Sequence, residues 1–189
     1  ACRERAIRTL VVWGVGAGLI ILSAAMLIRA SGSTEAHVIT PGPGSPVVGI
    51  DMVSDGSNTS TALGTIEPCI EVANTAGTQF VIDAWLNAIP NDLNLDGYNY
   101  LFNFPDTATK MIDQNNGLMI VGGTDLSQTA TVGDPDTTSP HGVTVANLGS
   151  GTTAPGGTRG VLGRYTMQVL PAAVSGLYNF NLNPTPGLF

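Results

Sequence analysis

The sequence predicts an all-β domain, a β-sandwich of seven to nine short strands, behind one N-terminal apolar helix. Three observations lead there. The chain holds 24 Gly and 12 Pro, which punctuate short apolar runs and suggest turns between strands. Beyond the N-terminus, helix formers at 3.6-residue spacing are nearly absent and Thr, Val, Asn and Gly dominate. The stretch from Thr9 to Ile28 is uncharged and apolar, and about 20 such residues match the hydrocarbon core of a bilayer.

The apolar stretch comes first. Arg3, Arg5 and Arg8 precede it and Arg29 follows, a bias that places the N-terminus in the cytoplasm. Residues 1–36 are thus expected to be a signal peptide or a signal anchor. Thr34 and Ala36 are small residues where a signal peptidase reads, so cleavage would leave His37 first. The length of the run favours a retained anchor instead. Either outcome exports the rest of the chain to the cell surface or beyond.

Residues 37–46 (HVITPGPGSP) form a Pro/Gly linker that cannot be helical. The domain is expected over 47–189. Val47 to Val53 reads as a first strand, and Ile66 to Ala73 as a second, broken by Pro68. Thr78 to Ile89 alternates Phe80, Ile82, Ala84 and Leu86 against Val81, Asp83, Trp85 and Asn87. Tyr98 to Phe104 is the clearest strand. Tyr98, Tyr100, Phe102 and Phe104 share one face, and Asn99, Leu101 and Asn103 the other. The rings should lie between two sheets and anchor the core. Gly117 to Val121, Val143 to Leu148, Gly160 to Leu170 and Gly176 to Leu182 complete the strands. Gly122 to His141 and Gly149 to Thr158 read as polar loops.

The formal net charge of -7 is uneven. After Arg29 only Lys110, Arg159 and Arg164 oppose the carboxylates, so nucleic acid and anionic lipid are poor ligands for the domain. Cys2 and Cys69 lie on opposite sides of the apolar segment. Cys69 is therefore expected as a lone, buried thiol.

Three stretches together resemble the cohesin family, within the wider group of carbohydrate-binding-like sandwiches. GTQFVIDAWLNAIPN is similar to the family's strand that ends in a turn of valine or isoleucine and proline. GYNYLFNFPD is similar to its glycine, alternating aromatics and Tyr-Asp-Pro corner, with Phe104-Pro105-Asp106 at the corner. RGVLGRYTMQVLPAAVSGLYNFNL is similar to the close of the domain. The resemblance spans Val47 to Leu182. It implies a jelly-roll sandwich of about nine strands that binds and does no chemistry. It also implies a dockerin-like protein partner on an exposed sheet face, where Asn99, Leu101 and Asn103 would point outward. The positions where dockerin binders carry an Asn and an Asp are Gly97 and Asn99 here.

Other candidate sites weigh against plainer readings. Asp92, Asn94, Asp96 and Gly97 match the opening of a calcium loop, but the twelfth position is Asn103, and a turn before a strand is the plainer reading. No other cofactor is indicated. Trp85 shares a face with Asp83 and Asn87 and is the ring best placed to stack on a polysaccharide. His37 and His141 stand apart and do not form a zinc set. Asp134 and Asp136 read as solvated. No nucleophile elbow or triad spacing occurs, so an enzyme is not expected. Asn58-Thr59-Ser60 is formally a glycosylation acceptor. The expected functions are protein docking, glycan binding or a structural role in the cell envelope.

Overall fold

The structure is a computed structural model that describes residues 27–32, 46–128, 130, 131, 133–149 and 151–184. The described part is all-β: β1 (Leu27–Gly32), β2 (Val48–Asp51), β3 (Cys69–Ala73), β4 (Gln79–Leu86), β5 (Gly97–Asn103), β6 (Thr109–Asn115), β7 (Thr124–Asp125), β8 (His141–Ala146), β9 (Gly160–Val169) and β10 (Leu177–Pro184). The larger sheet has the order β3-β1-β10-β5-β8-β7 and the smaller β2-β4-β9-β6. All pairings are antiparallel except β1 with β10.

The two sheets pack face to face through the aromatic stripe. Tyr98, Tyr100, Phe102 and Phe104 are all buried, as their alternation requires. Phe102 stacks on Tyr165 of β9 at 4.7 Å between centroids and lies 6.2 Å from Phe180 of β10. Phe80 of β4 meets Phe180 edge-on at 6.0 Å. The hydroxyls of Tyr100 and Tyr165 bond each other across the interface. That of Tyr98 faces the carbonyls of Asn116 and Leu162, the latter at 2.8 Å. Each hydroxyl thus brings its partner into the core, where an unmet one would be costly. Gly163 makes room for the tyrosine pair, because a Cβ there would lie 2.7 Å from the Tyr100 hydroxyl.

Several expectations need correction. Leu27 and Ile28, the end of the expected apolar helix, begin a strand; Thr9 to Met26 lie outside the described residues. Among the described residues no helix is long and apolar enough to cross a membrane. Gly117 to Val121 is not a strand. Met119 and Ile120 are buried in succession and Gly123 donates back to the Ile120 carbonyl, which is a turn that adds two side chains to the core. The strand there is β6, which alternation misses because its register against β9 shifts between Met111 and Asp113. That bulge buries Met111 and Ile112 together. The expected loop from Gly122 to His141 contains β7 and the first residue of β8. Cys69 is disulfide-bonded and not a lone thiol; the other half lies outside the described residues. The sequence argument assumed that the apolar segment keeps the N-terminus away, whereas β1 runs directly beside β3.

A long loop, residues 53–67, folds across the outer face of the smaller sheet and is pinned by buried charge. Asp51 Oδ1 accepts from the N–H of Val53 (3.1 Å) and of Glu67 (2.9 Å), and Oδ2 accepts from the Asn58 amide. Asp83 is fully buried and bonds Arg164 through both oxygens, at 2.7 and 2.8 Å. Arg164 also donates to the Asn58 carbonyl at 3.2 Å. Breaking one half of such a pair strands the other charge. Arg164→Ala is expected to cost about 3 kcal/mol in urea unfolding, the low end of the range because the guanidinium side chain is 34% exposed.

Candidate functional site

The candidate site is the outer face of the larger sheet, centred on β5. Strand alternation sends the β5 rings inward and leaves Asn99, Leu101 and Asn103 half-buried on the outside. On one flank, β10 sets Asn181 beside Asn103 and Asn183 beside Leu101. On the other, β8 sets Thr144 beside Asn99 and Gly142 beside Leu101. Gly142 has no side chain of its own, and the Gln128 side chain folds over it and accepts from its N–H. Asn179 and Leu177 continue the β10 row, and both are exposed. β5, β8 and β10 contain no Asp, Glu, Lys or Arg. The outer side of these three strands therefore carries asparagines, Thr144 and the apolar Leu101, Ala146 and Leu177, with the Asn103 amide nitrogen itself buried.

The structure brings together the three β5 residues singled out from the sequence and adds the β10 asparagines. These were missed because their neighbours in space are far away in sequence. The alternation of LYNFNLNP, with Phe180 buried and asparagines between, was the available signal.

Trp85 lies on the opposite side of the molecule, on the outer face of the smaller sheet. Its ring covers Gly49 of β2, where a Cβ would collide with the indole. Its Nε1 is buried and meets no acceptor among the described residues. Its expected companion Asp83 is not a surface group, since Arg164 and residues 53–67 cover it.

Asp92, Asn94 and Asp96 are exposed on the turn before β5. The Leu93 N–H donates to the Pro90 carbonyl, and Leu95 bridges to Ala154. Among the described residues no three His, Cys, Asp or Glu side chains come together as a metal set. The turn instead rims an apolar recess of about 670 Å³, walled by Leu86, Ile89, Leu93, Leu95, Tyr98 and Val145.

Two loop expectations also change. His141 is fully buried at the start of β8, with Nδ1 2.5 Å from Asp136 Oδ2. Asp136 is tied further by backbone bonds in both directions with Met111, so it is not simply solvated. The histidine's Nε2 is enclosed without a partner among the described residues, and its ring packs near that of Tyr165. Asn58, the formal glycosylation acceptor, is buried. Its amide is engaged with Asp51 and with the Gly64 N–H at 2.7 Å, so the folded domain does not offer it. His37 lies outside the described residues.

No family model, curated protein or solved structure matches this chain.

Proposed function

We propose that this chain is a non-catalytic, extracytoplasmic binding module of cohesin-like jelly-roll architecture that docks a dockerin-like protein partner through the β5 face. The observation that carries the reading is the uncharged, half-buried row of Asn99, Leu101 and Asn103, flanked by the β10 asparagines and by Gly142 with Gln128 over it. Sheet faces of this kind accept a partner by shape and hydrogen bonding, with an apolar anchor near the middle. Leu101 is that anchor. Binding should vary little with salt, because no charge lies on these strands.

A second reading has its own observation. Trp85 spreads over Gly49 on the other sheet, and a ring laid on a strand is a stacking surface for a polysaccharide. The apolar leader would hold either kind of module at the cell surface, and calcium stays an option at the turn carrying Asp92, Asn94 and Asp96.

The test is a pull-down of secreted proteins together with titration against a glycan panel, in calcium and in chelator. Leu101→Arg is expected to weaken protein capture at least ~10-fold, about 1.4 kcal/mol, with an unchanged melting curve. Glycan binding that is lost in Trp85→Ala and kept in Leu101→Arg would replace the first reading by the second. No ligand of either kind would leave a structural envelope role.

A further inference from the structure

β1 occupies an unusual place. It is a six-residue strand that supplies the whole connection between β3 and the rest of its sheet. Leu27 to Ser31 pair antiparallel with Ala73 to Cys69, and Arg29 to Gly32 pair parallel with Leu177 to Phe180. β3 and β10 are neighbours of β1 and not of each other. Without β1 they would face each other across a slot two strand spacings wide, roughly 9.6 Å. The backbone donors and acceptors along that slot would lose their partners.

The same six residues follow directly on the apolar stretch that the sequence marks for the membrane. We propose that the slot between β3 and β10 is a strand-acceptor site whose ligand is Leu27–Gly32. Through it the folded domain holds its own leader by strand addition, independently of the peptide bonds of residues 33–45. Main-chain ladders on both edges supply the affinity, as in other strand-addition complexes. Two consequences follow. A cut after Ala36, where a signal peptidase would act, leaves the domain attached to its leader. Any membrane span drawn from the apolar stretch must end before Leu27, where the strand begins.

The experiment uses the full chain in detergent micelles, with a specific protease site placed between Ser33 and Ser45 and cut after folding. Reductant is present, so that the Cys69 disulfide contributes nothing to retention. The expected result is that the cut domain stays with the micelle fraction. An excess of a peptide covering residues 24–33 should release it, and a scrambled peptide should not. Ala30→Pro, at a position paired to Ile70 on one side and Tyr178 on the other, should lose the domain to the aqueous fraction once cut. Release of the unsubstituted domain on cutting alone overturns the proposal. So does retention that neither Ala30→Pro nor the peptide reduces. Where Ala30→Pro does not fold, the peptide competition decides by itself.

Discussion

Phe102→Ala is expected to destabilise the domain by about 4 kcal/mol, close to the largest effect a single core truncation produces. Phe102 is fully buried and its ring touches both sheets. It stacks on Tyr165 at 4.7 Å and packs near Phe104 and Phe180. Its backbone is held between Leu182 and His141, so β5 cannot move in to close the hole. The loss therefore combines the transfer of a large ring with a cavity that stays open. Thermal unfolding should shift down by about 10 °C for a domain of this size. Phe102→Leu should recover more than half of that loss. Leu93→Ala, at a side chain 56% exposed on the turn, should move stability by less than about 0.5 kcal/mol. Equal losses at the two sites would mean that β5 is not the centre of the core.

The second large effect is a steep loss of stability in alkali. Burial pushes the hydroxyls of Tyr98, Tyr100 and Tyr165 well above the ordinary tyrosine range, with the close approach of neighbouring tyrosines adding to this for Tyr98 and Tyr100. For Tyr165 the bond from Tyr100 offsets part of the shift. A raised folded pKa means that the native state keeps protons which the unfolded chain releases. The associated stability is complete below the unfolded pKa, about 10, and is lost as pH rises beyond it. Three such groups give a slope of about 4 kcal/mol per pH unit above pH 10. Urea unfolding at pH 9, 10 and 11, with tyrosinate absorbance read in parallel, measures it. The double variant Tyr100→Phe/Tyr165→Phe removes both partners of the hydroxyl pair and should reduce the slope to about 1.4 kcal/mol per pH unit. A slope unchanged in the double variant would mean that these two hydroxyls ionise freely in the native state.

These two predictions rest on a core that was legible in the sequence, and the reason is local. A strand with one face buried must alternate, and GYNYLFN alternates rings with polar residues without interruption. The same logic located β4, β8, β9 and β10 to within a few residues. It failed where the backbone departs from a regular ladder. β6 is bulged, β7 is two residues long, and the run from Gly117 to Val121 buries consecutive side chains in a turn. Periodicity carries no information at such places. It also failed at β1, where the pattern is that of a membrane segment and the pairing is supplied by strands far along the chain.

The candidate site divides in the same way. That Asn99, Leu101 and Asn103 face away from the core followed from the period of two. That Asn181 and Asn183 stand beside them and that Gly142, with Gln128 over it, flanks Leu101 depend on which strands are neighbours. Trp85 and Asp83 were read correctly as one face of β4, but only tertiary structure puts Gly49 under the indole and residues 53–67 over the carboxylate. The sequence by itself determined the class of fold, the ring-lined core and the inward or outward sense of the clearest strands, because these follow from burial along a single strand. The tertiary structure decided strand order, the insertion of β1 between β3 and β10, the closing of the Asp83–Arg164 pair and the make-up of the candidate face. Each of those joins residues that are distant in sequence, and backbone hydrogen bonding between strands is the same whatever side chains they carry.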